Sequence, residues 1–323
     1  MKKLIAFFFV AVLALSLAAC KEREYPVDGV FLGYEYGVSR NAPMVTFVTI
    51  TVEDGEIVAY DIDVRQGART GSGTTEAPYA WAWNAQTKKE LGFAYHMHYD
   101  TSGAANDAEY QAWLTANNKL EWFQQAELIE AYWLENDIET LGGNPETAID
   151  NVTGVTIKNA YEVAATRALE NAKAGKFQAI YCSGSDLYIA EMTLTSKGAI
   201  DTLVIDTLQA TKDAATGTFT WNTKTKQELG DDYGMKGSDA YVFTDGAWVK
   251  QGTSTLEWYE QVALISNYVK ANGWSSSLQP VAQRGGSLDG TTLIDELAGA
   301  TIRTGSYYTL LAKLFEFAGS SVK

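Results

Sequence analysis

The sequence predicts an α+β protein of two tandem homologous domains, each an antiparallel sheet with packed helices. Three observations lead there. Strings in the first half recur in the second; each copy holds an alternating stretch broken by a turn dipeptide; each also holds a segment with apolar residues at helical spacing. WNAQTKKELGFAYHM, from Trp83 to Met97, returns as WNTKTKQELGDDYGM, from Trp221 to Met235, with nine of fifteen positions identical. LEWFQQAELIEAY, from Leu120, returns as LEWYEQVALISNY, from Leu256, and the offset between copies drifts between 136 and 145 residues. Insertions confined to loops would produce that drift.

The N-terminus comes first. Lys2 and Lys3 precede an apolar run from Leu4 to Leu15 that is short for a membrane span and ends in small residues, the pattern of a secretion signal over residues 1–19. Leu17-Ala18-Ala19-Cys20 is similar to the lipobox of bacterial lipoproteins. That likeness implies a lipid anchor at Cys20, a short tether over 20–25 and an extracytoplasmic place at the cell membrane. Two acyl chains hold a protein stably where one is marginal. Domain one would then run over 26–175 and domain two over 176–323.

Within each domain, Val45 to Val64 and Leu187 to Leu208 read as hairpins turning at Asp54-Gly55 and Lys197-Gly198. The Trp-Asn pairs, Trp83-Asn84 and Trp221-Asn222, read as polar loop. Trp122, Ala126, Ile129 and Trp133 share one helix face, as do Trp258, Val262 and Ile265, and these tryptophans are expected in the core. A further helix closes each copy. Asn159 with Glu162 forms a candidate capping box for the first of these, and Thr304 or Ser306 a candidate cap for the second.

Composition removes several functions. The chain has 25 basic and 40 acidic residues, a formal charge of −15. Loss of Lys2 and Lys3 with the signal gives −15 − 2 = −17. No surplus of cations exists to neutralise nucleic-acid phosphates. Two cysteines cannot build a disulfide scaffold, and Cys182, alone after lipidation of Cys20, is expected to be a small buried hydrophobe. Two histidines, His96 and His98, cannot make a three-histidine zinc site; they alternate as on an exposed strand and are replaced by Gly234 and Lys236 in the second copy. No metal site is expected.

Just before each final helix stands a related string. Asp150-Asn151-Val152-Thr153-Gly154-Val155-Thr156-Ile157 matches Asp295-Glu296-Leu297-Ala298-Gly299-Ala300-Thr301-Ile302. Each glycine permits a tight turn or a close backbone approach, and each threonine presents a hydroxyl upstream of a helix N-terminus, where negative charge is favoured. The pattern resembles the flavinylation motif, D-x-x-[ST]-G-A-T, of FMN-binding domains. In that family a Mg-dependent FMN transferase esterifies the last threonine with the FMN phosphate. The resemblance implies Thr156 and Thr301 as attachment points for two covalent FMN groups, Asp150 and Asp295 as the leading acids, and Gly154 and Gly299 as the motif glycines. Val155 and Ala298 depart from the usual residues.

Paired FMN-binding units behind a lipobox resemble the lipoproteins of Gram-positive flavin-based extracellular electron transfer. That likeness implies a carrier taking electrons from a membrane NADH dehydrogenase and quinone pool to extracellular acceptors such as ferric iron. It also raises a pheromone role for the signal-peptide tail, which the apolar run by itself does not support. Trp83, Asn84, Trp221 and Asn222 are candidate flavin contacts. The rival expectation is a cofactor-free surface lipoprotein whose aromatic loops bind a ligand such as carbohydrate.

Overall fold

In a computed structural model of the chain, residues 23–244, 247–275, 294–297 and 299–323 are described. The signal sequence, Cys20 and Ala298 lie outside them. The protein is a mixed α+β structure with antiparallel sheets. Among the described residues no helix is long and apolar enough to cross a membrane.

The first half opens with a meander of β1 (Gly29–Ser39), β2 (Ala42–Glu53) and β3 (Glu56–Thr70), extended by the short β4 (Ala80–Trp83) in the order β1-β2-β3-β4. Asp54 and Gly55 turn β2 into β3 with φ of 53° and 78°, the left-handed pair that a two-residue hairpin loop needs. Then follow the one-turn α1 (Lys88–Leu91), α2 (Tyr99–Ser102), α3 (Asp107–Ala116), α4 (Trp122–Glu135) and, after the motif, α5 (Glu162–Ala174).

The second half follows a similar course, with a strand hairpin where the first has α2 and α3. A meander of β5 (Lys176–Ser183), β6 (Asp186–Leu194) and β7 (Ile200–Leu208) is followed by the ribbon of β8 (Ala210–Asp213) and β9 (Thr218–Trp221). Next come α6 (Lys226–Leu229), the hairpin of β10 (Asp239–Thr244) and β11 (Ala247–Thr253), α7 (Trp258–Asn272) and α8 (Gly305–Ala318). The final helices are full-length, at 13 and 14 residues.

The recurring string from Trp83 has a local explanation. Thr87 and Glu90 form a reciprocal capping box, as do Thr225 and Glu228, so each threonine starts a one-turn helix. Gly92 and Gly230 end these turns at φ 53°. The carboxylates of Asp63 and Asp206, on β3 and β7, accept the N–H groups of Lys89 (3.0 Å) and Gln227 (3.1 Å) and dock each turn on its sheet.

Each sheet is covered on both faces. Phe31, Val48, Ile50 and Ile62 face α4 and α5, and their core runs on without a break into the second half, where Phe31 stacks on Phe177 at 4.8 Å. The other faces meet across a seam of Leu32, Val45, Ile180, Leu187, Ile189 and Phe219. Two-sided burial explains why β2 carries so few solvent positions.

Several local expectations change. Trp83 and Trp221 end strands rather than sitting in loops. His96 and His98 are not on a strand: His96 closes a 3-10 turn at φ 59° and His98 precedes α2, and both are half-buried. The Asn159–Glu162 capping box does not form, because α5 starts after Tyr161; the Asn159 amide instead bridges Gly142 O and the Glu162 carboxylate. Thr304 does precede α8, but its hydroxyl makes no cap.

Candidate functional site

The motif threonines are organised by a buried glutamine. Gln125 lies one turn into α4, on the same inward face as Trp122 and Ala126, and Gln261 holds the equivalent place in α7. Both are essentially buried, at 1% and 0% exposed. Gln125 Oε1 accepts the Thr156 N–H at 2.7 Å, the Thr156 hydroxyl at 3.2 Å and the Ile157 N–H at 3.2 Å. Gln261 Oε1 accepts the Thr301 N–H at 2.7 Å, the Thr301 hydroxyl at 3.2 Å and the Ile302 N–H at 3.1 Å. Each amide also donates through Nε2, to Leu120 O (3.0 Å) and to Leu256 O (3.1 Å). Backbone donors on one side and a backbone acceptor on the other leave a single sensible orientation for each amide.

The loop held in this way is closed at its neck. Ile149 N donates to Ile157 O at 3.0 Å, next to a bridge between Ala148 and Lys158. Residues 150–156 thus form a compact loop with Asp150 and Thr156 on opposite sides of its base. Ile149, Val155 and Ile157 are buried, while Asp150, Thr156 and Lys158 point to solvent. In the second half Ile294, Leu297, Ala300 and Ile302 are buried, Thr301 is half-buried and Arg303 is exposed. Asp295 starts a 3-10 turn, and its side chain lies outside the described residues.

Each motif glycine sits in a turn, closed by Val155 N to Val152 O at 3.2 Å in the first half and by Ala300 N to Leu297 O at 3.0 Å in the second. Gly154 adopts φ 89°, a turn conformation that favours glycine. A Cβ on Gly299 would come within 3.1 Å of Leu256 Cδ1 and 3.3 Å of Leu264 Cδ1. The equivalent leucines, Leu120 and Leu128, lie at 3.4 and 3.6 Å from a Cβ placed on Gly154.

Beneath each loop the long helix starts at a buried glutamate. Glu121 (0% exposed) takes the N–H groups of Met97 (3.1 Å) and Trp122 (2.8 Å) and the Tyr110 hydroxyl. Glu257 takes those of Met235 (2.8 Å) and Lys236 (3.0 Å). The following indoles donate to Tyr161 and Tyr307 hydroxyls, both at 3.0 Å. Lys88 rests over Tyr95 (4.8 Å) and Trp122 (5.1 Å), and Lys226 over Tyr233 (4.8 Å) and Trp258 (5.3 Å). Burial pulls the Lys88 pKa down to about 8, against the pull of Asp63 and Glu121.

A cleft of about 1140 Å³ opens beside the first motif, lined by Arg40, Arg69, Asn84, Tyr95, Met97 and Lys158 among others. It adjoins the threonine through two links: Lys158 is two residues beyond Thr156, and Met97 Sδ receives Gln125 Nε2 at 3.5 Å. Arg40, Arg69 and Lys158 outnumber Asp100 on this wall, although Lys158 also pairs with Glu146 at 3.2 Å. In the second half a smaller recess of about 390 Å³ includes Trp221, Asn222 and Lys224. Asn84 and Asn222 therefore line cavities. The indole N–H groups are committed elsewhere: Trp83 Nε1 donates to Asp186 O (2.9 Å), Trp221 Nε1 to Gly37 O (2.7 Å), and their rings lie 6.1 Å apart in the seam. Trp83 is absent from the cleft wall.

His96 pairs with Asp107 at 2.8 Å, and among the described residues no group of three or more His, Cys, Asp or Glu could hold a metal. Burial pushes the Cys182 thiol up to about 12, so it is a poor nucleophile.

The sequence reading passed over Gln125, Gln261, Glu121, Glu257, Lys88 and Lys226. Their signal was present: all six are identical between the copies. A polar residue preserved on the apolar face of a helix needs a buried partner. Comparison of the chain with known protein families, with curated proteins and with solved structures found no match.

Proposed function

We propose that the chain consists of two tandem homologous FMN-binding domains. It serves as a lipid-anchored, extracytoplasmic electron carrier with one FMN esterified to Thr156 and one to Thr301. The observation that carries this reading is the doubled cradle: the same carboxamide holds the same threonine by the same three hydrogen bonds in both halves. Both threonines keep some solvent exposure, Thr156 exposed and Thr301 half-buried, which modification by another enzyme requires.

The residues present fit the group. Thr156 is exposed on a loop whose neck and underside are pinned, so a flavin chain could leave it without breaking the core. The neighbouring cleft, at about 1140 Å³, slightly exceeds the range of roughly 300–1,000 Å³ usual for small-ligand sites and so leaves room for a cofactor-sized group. Tyr95 offers a ring face, Asn84 an amide, and Lys158 and Arg40 positive charge for a phosphodiester. FMN, when attached, supplies one- and two-electron chemistry. The chain holds the group by a bond that dilution outside the cell cannot break, and none of its side chains needs to act as acid, base or nucleophile in turnover.

Electrons would come from a membrane NADH dehydrogenase and quinone pool and pass to acceptors such as ferric iron, which the acidic chain, −15 in full and −15 − 2 = −17 without the signal, would attract. The test is an intact mass after co-expression with an FMN transferase. Two additions of FMN less water are expected, one lost in Thr156→Val, one in Thr301→Val, both in the double variant. An unchanged mass in the unaltered chain would remove the flavoprotein reading and leave that of a surface ligand-binding lipoprotein.

A further inference from the structure

We propose that Gln125 and Gln261 are positioning residues for the flavin transfer itself: each turns its threonine hydroxyl into the attack-ready rotamer. This rests on the flavinylation reading above. A free threonine side chain samples three staggered χ1 wells, and only some of them present the oxygen lone pairs outward. Here the hydroxyl hydrogen is drawn inward by a carbonyl oxygen that two backbone N–H groups already hold in place. That leaves the Oγ1 lone pairs free to meet an electrophile, at a threonine that is exposed in the first half and half-buried in the second. The amide cannot rotate to release them, because its Nε2 is tied to a backbone carbonyl and the side chain is buried.

Transfer forms the Oγ–P bond and breaks the pyrophosphate P–O bond of a flavin adenine dinucleotide, with AMP as the leaving group. The hydroxyl proton leaves late: as the Oγ–P bond forms, the hydroxyl turns it from the amide to a base of the transferase, since a carboxamide is too weak a base to keep it. The bond from the hydroxyl to Gln125 is lost at that moment, but the two backbone bonds persist and keep the loop in shape around the ester. Glutamine suits this role better than aspartate or glutamate. An ionised carboxylate at that depth would be costly to bury and would repel the incoming phosphate.

The two sites in one molecule supply the control. The full chain is incubated with transferase, Mg²⁺ and flavin adenine dinucleotide, and incorporation at each threonine is followed by peptide mass. Gln125→Met fills the same space without an acceptor, and it should slow Thr156 about tenfold or more through kcat rather than KM, with Thr301 unaffected. Gln125→Glu, protonated at that depth, keeps an acceptor toward the threonine and a donor toward Leu120 O, and should recover most of the rate. A Gln125→Met chain that is modified at Thr156 at the unaltered rate overturns the proposal. So does one that loses Thr301 equally, which would assign the amide to folding, and so does a Gln125→Glu chain no faster than Gln125→Met. Absence of flavin at both threonines of the unaltered chain would instead strike the parent reading.

Discussion

Placed side by side, the two halves agree where they touch the motif and differ where they cover it. The capping-box turn and the buried N-terminal glutamate occur in both, and the threonine–glutamine and indole–tyrosine bonds do so with matching distances. Between the one-turn helix and the long helix they part company. The first half inserts α2 and α3, bringing His96, Tyr99 and Tyr110 into ring contact, and the second inserts the β10–β11 hairpin. The lesson is a division of labour: what holds the threonine is kept, and what shapes the space above it is free to diverge.

The seam is the strongest place to break that comparison. Trp221 is buried and gives its N–H to the first half, whereas Trp83 is half-buried. Trp221→Ala should cost about 3–4 kcal/mol and Trp83→Ala nearer 2, by denaturant unfolding. Equal costs would mean that the two rings share the load evenly.

Next come the buried glutamates. Glu121 serves a tyrosine hydroxyl that Glu257 lacks, so Glu121→Ala should cost about 3 kcal/mol and Glu257→Ala about 2. A smaller effect at Glu121 would show that the α3 insert adds nothing to the cradle.

The smallest effect sits at the first motif glycine. Gly154→Ala forces an L residue to a φ of 89° and should cost about 1–2 kcal/mol. An unchanged melting temperature would mean that the loop relaxes around the new methyl.

Much of this was legible in the chain, and the reasons it was not elsewhere are physical. The β2–β3 and β6–β7 hairpins and the helices α4 and α7 declare themselves by period, since each has one face in the core. Strand β1 does not: Phe31 and Leu32 are both fully buried, on opposite faces, so no alternation marks it. The loop reading of Trp83 and Trp221 failed because it judged them within one repeat, while their burial comes from the other half of the chain. The threonines stood out by string identity, but the reason for their orientation lies 31 and 40 residues upstream, at a separation no local pattern reveals.

The seam has one last consequence. Phe31 stacks on Phe177, and Trp83 meets Trp221, so residues in like positions of the two halves face one another. That is the arrangement of a closed two-fold dimer, drawn within one polypeptide. Two separate units would need to find each other and would part on dilution. Joined end to end, they meet at an effective concentration set by the chain, about millimolar for a short connection. The association is then indifferent to how dilute the protein is.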